Sequence, residues 1–299
     1  MKPIQDRGSR HRFHRKAGRL FCILAAGLLT LVTEVAAQTR VTPGFNLFTP
    51  NQDVEVGSRS AAQIEQQVPV LRHAAATQYV NRVGRRLAAN APGPRFNYIF
   101  KVANLSDVNA FALPGGYIYI HRGLIERVRS EGELAGVIAH EIAHVGLRHP
   151  TNQASKAYVA QAGLGIIGAL LGDREGSSTT KIMQTVGGFG LNALFLRYSR
   201  KAETEADIAG TQIMARSGYD PMDMARFFQY LRSLSGKEPS RIQRFFSDHP
   251  SPGDREGRIR QEVALIGSTR RSTPVSIQTS LRRLPPARSL GAVTQPALR

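Results

Sequence analysis

The sequence predicts an α+β domain, mostly helical, with a small sheet beside one central apolar helix. Three patterns predict it. Residues 133–145, Glu-Leu-Ala-Gly-Val-Ile-Ala-His-Glu-Ile-Ala-His-Val, read as helix throughout. Phe96, Tyr98, Phe100 and Val102 alternate with less apolar residues, and 117–121 is a second β-type run. Helical patterning returns at 60–90, broken at Pro69, and again at 197–216 and 221–234.

Taken in order, residues 1–19 hold seven Lys/Arg and one acid, and 20–32 form a 13-residue apolar run. Val35-Ala36-Ala37 supplies the small residues a signal peptidase reads. Residues 1–37 therefore read as a secretory signal, too short for a comfortable membrane span. An uncleaved anchor is the competing reading. Cys22, the only cysteine, lies inside the apolar run. From Gln38 onward the chain has no disulfide, thiolate ligand or cysteine nucleophile, which suits an oxidising, extracytoplasmic compartment.

Residues 38–267 are expected to form one domain. It begins with a mixed leader at 38–51 carrying the aromatic anchors Phe45 and Phe48. Residues 268–299 are rich in Ser, Thr, Pro and Arg and read as a flexible tail. The formal charge of +18 divides into +6 in residues 1–19, +6 in the tail and the remainder in the body. A body without a basic stripe is a poor nucleic-acid binder, so no nucleic-acid partner is expected. The tail offers a peripheral contact to anionic lipid or peptidoglycan, although such tails are usually solvated. Residues 162–196 are apolar and glycine-rich around a short polar loop. Two helices packed on the core or a mobile flap are the favoured reading, with a dip into a membrane surface as the other.

The chemistry lies in His140-Glu141-Ile142-Ala143-His144. Residues four apart on a helix differ by roughly 40° around its axis, so His140 and His144 share a face. Two imidazoles so placed form a pincer for Zn²⁺, and Glu141 stands beside them as a general base for water. Ser130 three residues before Glu133 is a capping-box pattern, and Pro150 bars continuation of the helix past His149.

A catalytic zinc needs a further protein ligand. Gly146 and His149 fall one residue early for the extended H-E-x-x-H-x-x-G-x-x-H pattern. A continuous helix would also turn His149 to the side opposite His140. His121 reads as a surface or packing residue, and His73 shows no ligand spacing. In 199–207, Glu205 joins a polar stripe with Lys201 and Gln212 and is expected in solvent. Glu203 and Asp207 share a stripe with Gly210 and Met214. Two carboxylates on a small, apolar face call for a partner. Glu203 would bind the metal, and Asp207 would accept the free N–H of a ligand histidine and fix its tautomer. A plain helix-surface pair is the other reading. His249, in the turn Ser247-Asp-His-Pro-Ser-Pro252, either points into the site or is only a turn residue.

Together these pieces resemble the M48 family of zinc metallopeptidases, most closely its exported bacterial branch of periplasmic proteases surveying outer-membrane assembly. The matching residues are 44–50, 109–118, 133–150, 199–207, 218–221 and His249-Pro250, so the resemblance covers about 44–262. It implies a zincin-type, gluzincin-like fold with the sheet beside the H-E-x-x-H helix. It also implies one Zn²⁺ per chain held by His140, His144 and Glu203. Asp207 would support a ligand, His249 would be a fourth ligand or transition-state stabiliser, and Asn109 and Ala110 would line the substrate cleft. Exported members often carry a C-terminal helical-repeat domain. The basic tail here departs from that pattern, so the docking partner is not carried over.

The expected function is a zinc endopeptidase acting on unfolded or misassembled envelope proteins, periplasmic or otherwise exported. If strand 117–121 is an edge, it would hold substrate as an added strand. A chaperone-like binding module with latent protease activity is the alternative from a different class.

Overall fold

The structure is a computed structural model describing residues 38–172, 198–234, 239–250 and 254–267, with positions 284 and 287. The expected signal at 1–37, residues 173–196 of the glycine-rich segment and nearly all of the tail lie outside the described residues.

The first helix, α1 (Pro50–Ile64), begins earlier than its apolar periodicity suggests. Its start is set by capping. Thr49 Oγ1 accepts from Gln52 N at 3.3 Å, Gln52 Oε1 accepts from Thr49 N at 2.7 Å, and Pro50 occupies the first turn. Just before it Phe48 is buried, but Phe45 is 58% exposed, so only one of the two expected aromatic anchors is one. Helix α2 (Ala74–Ala88) follows, capped by His73, whose Nδ1 accepts from Ala76 N at 3.1 Å. It turns Val80, Val83 and Leu87 inward.

The sheet has three strands: β1 (Ile99–Ala103), β2 (Ala110–Ala112) and β3 (Tyr117–His121). Strand β1 starts at Ile99, so Phe96 precedes the sheet. Their order is β1-β3-β2, with β1 parallel and β2 antiparallel to β3. Strand 117–121 is therefore central and has no free edge, so the condition for its holding substrate as an added strand is not met. Residues 110–112, which follow the turn at 104–109, form the added antiparallel strand, too short to show as one in the sequence. Among the described residues, β2 forms an edge instead, while Val70 bridges to Ala103 beside β1.

After the short helix α3 (Arg122–Arg127) comes α4 (Glu131–Gly146), which carries the motif. Every residue from Gly132 to Gly146 is buried, as expected of a helix apolar on all sides. Ser130 caps it, accepting from Glu133 N at 3.1 Å. The Glu133 carboxylate reaches Arg129 N, at 2.6 Å, so the return half of the capping box forms one residue early.

Helix α4 ends at Gly146, before Pro150. Arg148 takes a left-handed φ of 58°, and α5 (His149–Gly172) begins at once with Pro150 in its first turn. Proline here opens the next helix, a position that needs no N–H. Three more helices, α6 (Arg200–Arg216), α7 (Met222–Leu234) and α8 (Pro239–Asp248), precede α9 (Arg255–Ile266). Among the described residues no helix is long and apolar enough to cross a membrane. Leu284 packs against the main core.

The site is positioned by how closely α6 and α7 approach α4. A Cβ at Gly210 of α6 would lie 3.3 Å from His140 N, so glycine lets α6 press onto the motif helix. On another side, a Cβ at Gly136 would lie 2.8 Å from Met224 Cα. Gly136→Ala is therefore expected to push α7 away and lower stability by about 1–3 kcal/mol. A denaturant melt of the metal-free protein checks this, and an unchanged midpoint would contradict the packing described.

Candidate metal centre

Helix α4 aims His140 and His144 at one point, their Nε2 atoms 3.0 Å apart. Helix α6 starts at the Ser199 cap and brings Glu203 between them. Glu203 Oε2 is 3.4 Å from His140 Nε2, and Oε1 is 3.4 Å from His144 Nε2. The turn after α8 adds His249, with Nδ1 3.2 Å from Glu203 Oε1 and Nε2 3.3 Å from Glu141 Oε1. One ligand atom each from His140, His144, Glu203 and His249 lie within 4.8 Å of one another, all in buried residues. Glu203 Oε2 and both Glu141 oxygens are buried with no hydrogen-bond donor. Buried oxygens without donors, converging with imidazole nitrogens, suit a divalent cation, and this set of nitrogen and oxygen atoms suits zinc.

The charge balance follows from burial. Burial alone would raise the Glu203 carboxyl, but His249, His140 and His144 outweigh it and hold it well below the usual carboxylate range. Burial pushes the Glu141 carboxyl up, although His249 and His140 oppose this. Burial would lower His249, but Glu141 and Glu203 raise it to about 9. Burial drives His144 well below its ordinary value.

Asp207, one turn beyond Glu203, lies with Oδ1 3.2 Å from His140 Nδ1. Arg255 Nη2 also comes within 3.4 Å of that nitrogen. A guanidinium can only donate. An ionised carboxylate can only accept, so the bond between Asp207 and His140 takes its proton from Nδ1. Arg255 grips Asp207 through Nε at 2.9 Å and Nη2 at 2.5 Å, and its guanidinium lies 3.9 Å over the Phe228 ring. Burial opposes the Asp207 charge, and Arg255 and His140 overcome it.

Asn109 is buried, and its Nδ2 donates to Asp248 Oδ2 at 2.8 Å, tying β2 to the turn that carries His249. Ala110 opens β2, opposite Ile120 of β3. Neither falls in the four-residue cluster. His121 is buried against the Phe111 ring, and His73 is a helix cap, so neither is near the centre.

Two expectations change. His149 is outside the cluster, but not because a continuous helix turns it away. The chain reverses at Arg148, and His149 folds back with Nδ1 2.9 Å from His144 Nδ1. Glu205, expected in solvent, has Oε2 3.3 Å from His149 Nε2. Two residues escaped the sequence reading. Tyr198 stacks on His144 with ring centroids 4.0 Å apart, and its place just before the Ser199 cap is where a helix-entry staple sits. Arg255 has no such signal, because it arrives only through the packing of α9 on α6.

Residues 74–263 match the profile of peptidase family M48. Among similar proteins, the beta-barrel assembly-enhancing protease of Yersinia pestis is 31% identical over 214 residues, covering 69% of this chain and 42% of that protein. Metalloprotease YcaL of Escherichia coli is 30% identical over 183 residues, covering 61% of this chain and 68% of that protein. The mitochondrial metalloendopeptidase OMA1 of Schizosaccharomyces pombe is 30% identical over 185 residues, covering 62% and 52%. The chain thus spans less than half the length of the assembly-enhancing protease it matches. With more than half of the chain matched, and with the cluster described above, the protein belongs to peptidase family M48.

Proposed function

We propose that this chain is a zinc-dependent endopeptidase, exported after removal of residues 1–37, acting on unfolded or misassembled envelope proteins. The observation that carries the reading is the buried convergence of His140, His144, Glu203 and His249 beside Glu141. The names of the similar proteins support a protease.

His140 and His144 would hold the metal through Nε2, and Glu203 through its carboxylate. When bound, zinc lowers the pKa of water towards neutrality and polarises a carbonyl. Glu141 takes the proton from the attacking water and returns it to the leaving amine. Its burial favours that role, because a raised carboxyl pKa makes a better base than a solvated glutamate. Asp207 keeps His140 turned to the centre. The β2 edge, beginning at Ala110 next to Asn109, would pair with an extended peptide, which favours unfolded segments over folded ones. His249 either closes the fourth position or stabilises the transition state.

Four outcomes are expected. Metal analysis should find one zinc in the wild type, loss of that zinc in Glu203→Ala, and retention in Glu205→Ala at saturating metal; the reverse pattern would falsify the ligand set. Glu141→Gln should keep zinc and fold while slowing casein digestion by about 10²–10⁴ or more. In the same assay, His249→Ala should speed digestion if it closes the site and slow it if it stabilises the transition state. Casein untouched by zinc-loaded wild type would favour a chaperone-like module with latent activity. Intact mass of protein recovered from the cell envelope should lack residues 1–37, and a mass that includes them would mean an anchored protein.

A further inference from the structure

Neither His149 nor Glu205 takes part in the proposed reaction, yet His149 is fixed against His144 and Glu205 against His149. His144 Nε2 faces His140 and Glu203, so its lone pair belongs to the metal centre. The imidazole proton then sits on Nδ1. That nitrogen lies 2.9 Å from His149 Nδ1, a contact that needs one donor and one acceptor. His149 therefore accepts at Nδ1 and carries its own proton on Nε2, which lies 3.3 Å from Glu205 Oε2. Each link decides the next.

The backbone is bent to make this possible. Arg148 is the only non-glycine residue with positive φ among the described residues, and it turns His149 back toward His144. The turn is held by Arg148 Nε on Asp53 Oδ2 at 2.5 Å, by Arg148 Nη2 on the Phe48 carbonyl, and by Asn46 Nδ2 on the Arg148 carbonyl at 3.4 Å.

We propose that His149 and Glu205 are positioning residues for His144. The chain from His144 Nδ1–H through His149 to Glu205 fixes the tautomer and angle of His144, as Asp207 does for His140. Tyr198, stacked on the ring face, limits its rotation about the remaining axis. This inference rests on the metal-centre reading above.

The test uses the full chain and zinc itself, with affinity read by chelator competition. His149→Phe fills the space without an acceptor and should weaken zinc binding about 10–100-fold. His149→Asn restores an oxygen near the Nδ1 position and should recover most of that loss. Glu205→Ala should fall between, and Lys201→Ala, an exposed neighbour of Glu205, should change nothing. Imidazole ¹⁵N spectra of wild-type metal-free protein should show His144 as the Nδ1–H tautomer. The proposal is overturned if His149→Phe melts like wild type and binds zinc within about twofold of it, or if the asparagine variant is no better than the phenylalanine one. An Nε2–H tautomer at His144 overturns it too, and decides the matter alone should the variants not fold. A wild-type chain that binds no zinc would instead sink the metal-centre reading, with the tautomer spectrum still judging the relay.

Discussion

Two carboxylates with no exposure at all, Glu203 and Asp207, govern the arrangement around them. An ionised carboxylate taken out of water without compensation costs several kcal/mol even after the protein relaxes. Groups able to compensate must therefore gather from wherever the fold can supply them. Helix α4 supplies two imidazoles, α9 supplies Arg255, and the turn after α8 supplies His249. Each comes from a different part of the chain, so the centre holds those helices in register as firmly as they hold the centre. A glycine at position 210 is needed because the carboxylates reach His140 only if α6 lies almost against the α4 backbone.

Much of this was legible in the sequence because it is local. The H-E-x-x-H pattern singles out His140, Glu141 and His144, and helical periodicity puts the two histidines on one face. Glu203 and Asp207 follow from two charges on an otherwise small and apolar helix face. What escaped depends on contacts distant in sequence. Arg255 lies 48 residues beyond Asp207, and no spacing rule connects them. The central place of β3 depends on β2, three residues long and too short to announce itself by alternation. Helix α1 escaped for a different reason: its start is written in capping chemistry at Thr49 and Gln52 rather than in apolar spacing.

His149 lies outside the four-residue cluster for a reason that helical phase does not supply. Helical phase assumes that the helix continues, with Pro150 as its terminator. The helix in fact stops earlier, at Gly146, and one left-handed residue reverses the chain. Arginine at such a position gives no local hint, because its backbone preference argues against that conformation. Only the partners of its side chain, far upstream, explain why it is tolerated.

Those upstream partners have a practical bearing. Asn46, Phe48 and Asp53 clasp the bend, and all three precede residue 74, where the family match begins. Leu47 adds a bond from its backbone N–H to Ser155 Oγ at 2.9 Å, and Thr39 reaches Glu262 at 3.1 Å. A fragment trimmed to the matched region would still contain His140, Glu141, His144 and Glu203. It would have lost the strap that keeps the bend behind His144 shut. Homology boundaries record where sequences remain similar; for this molecule the mechanical boundary of the working unit lies further toward the N-terminus.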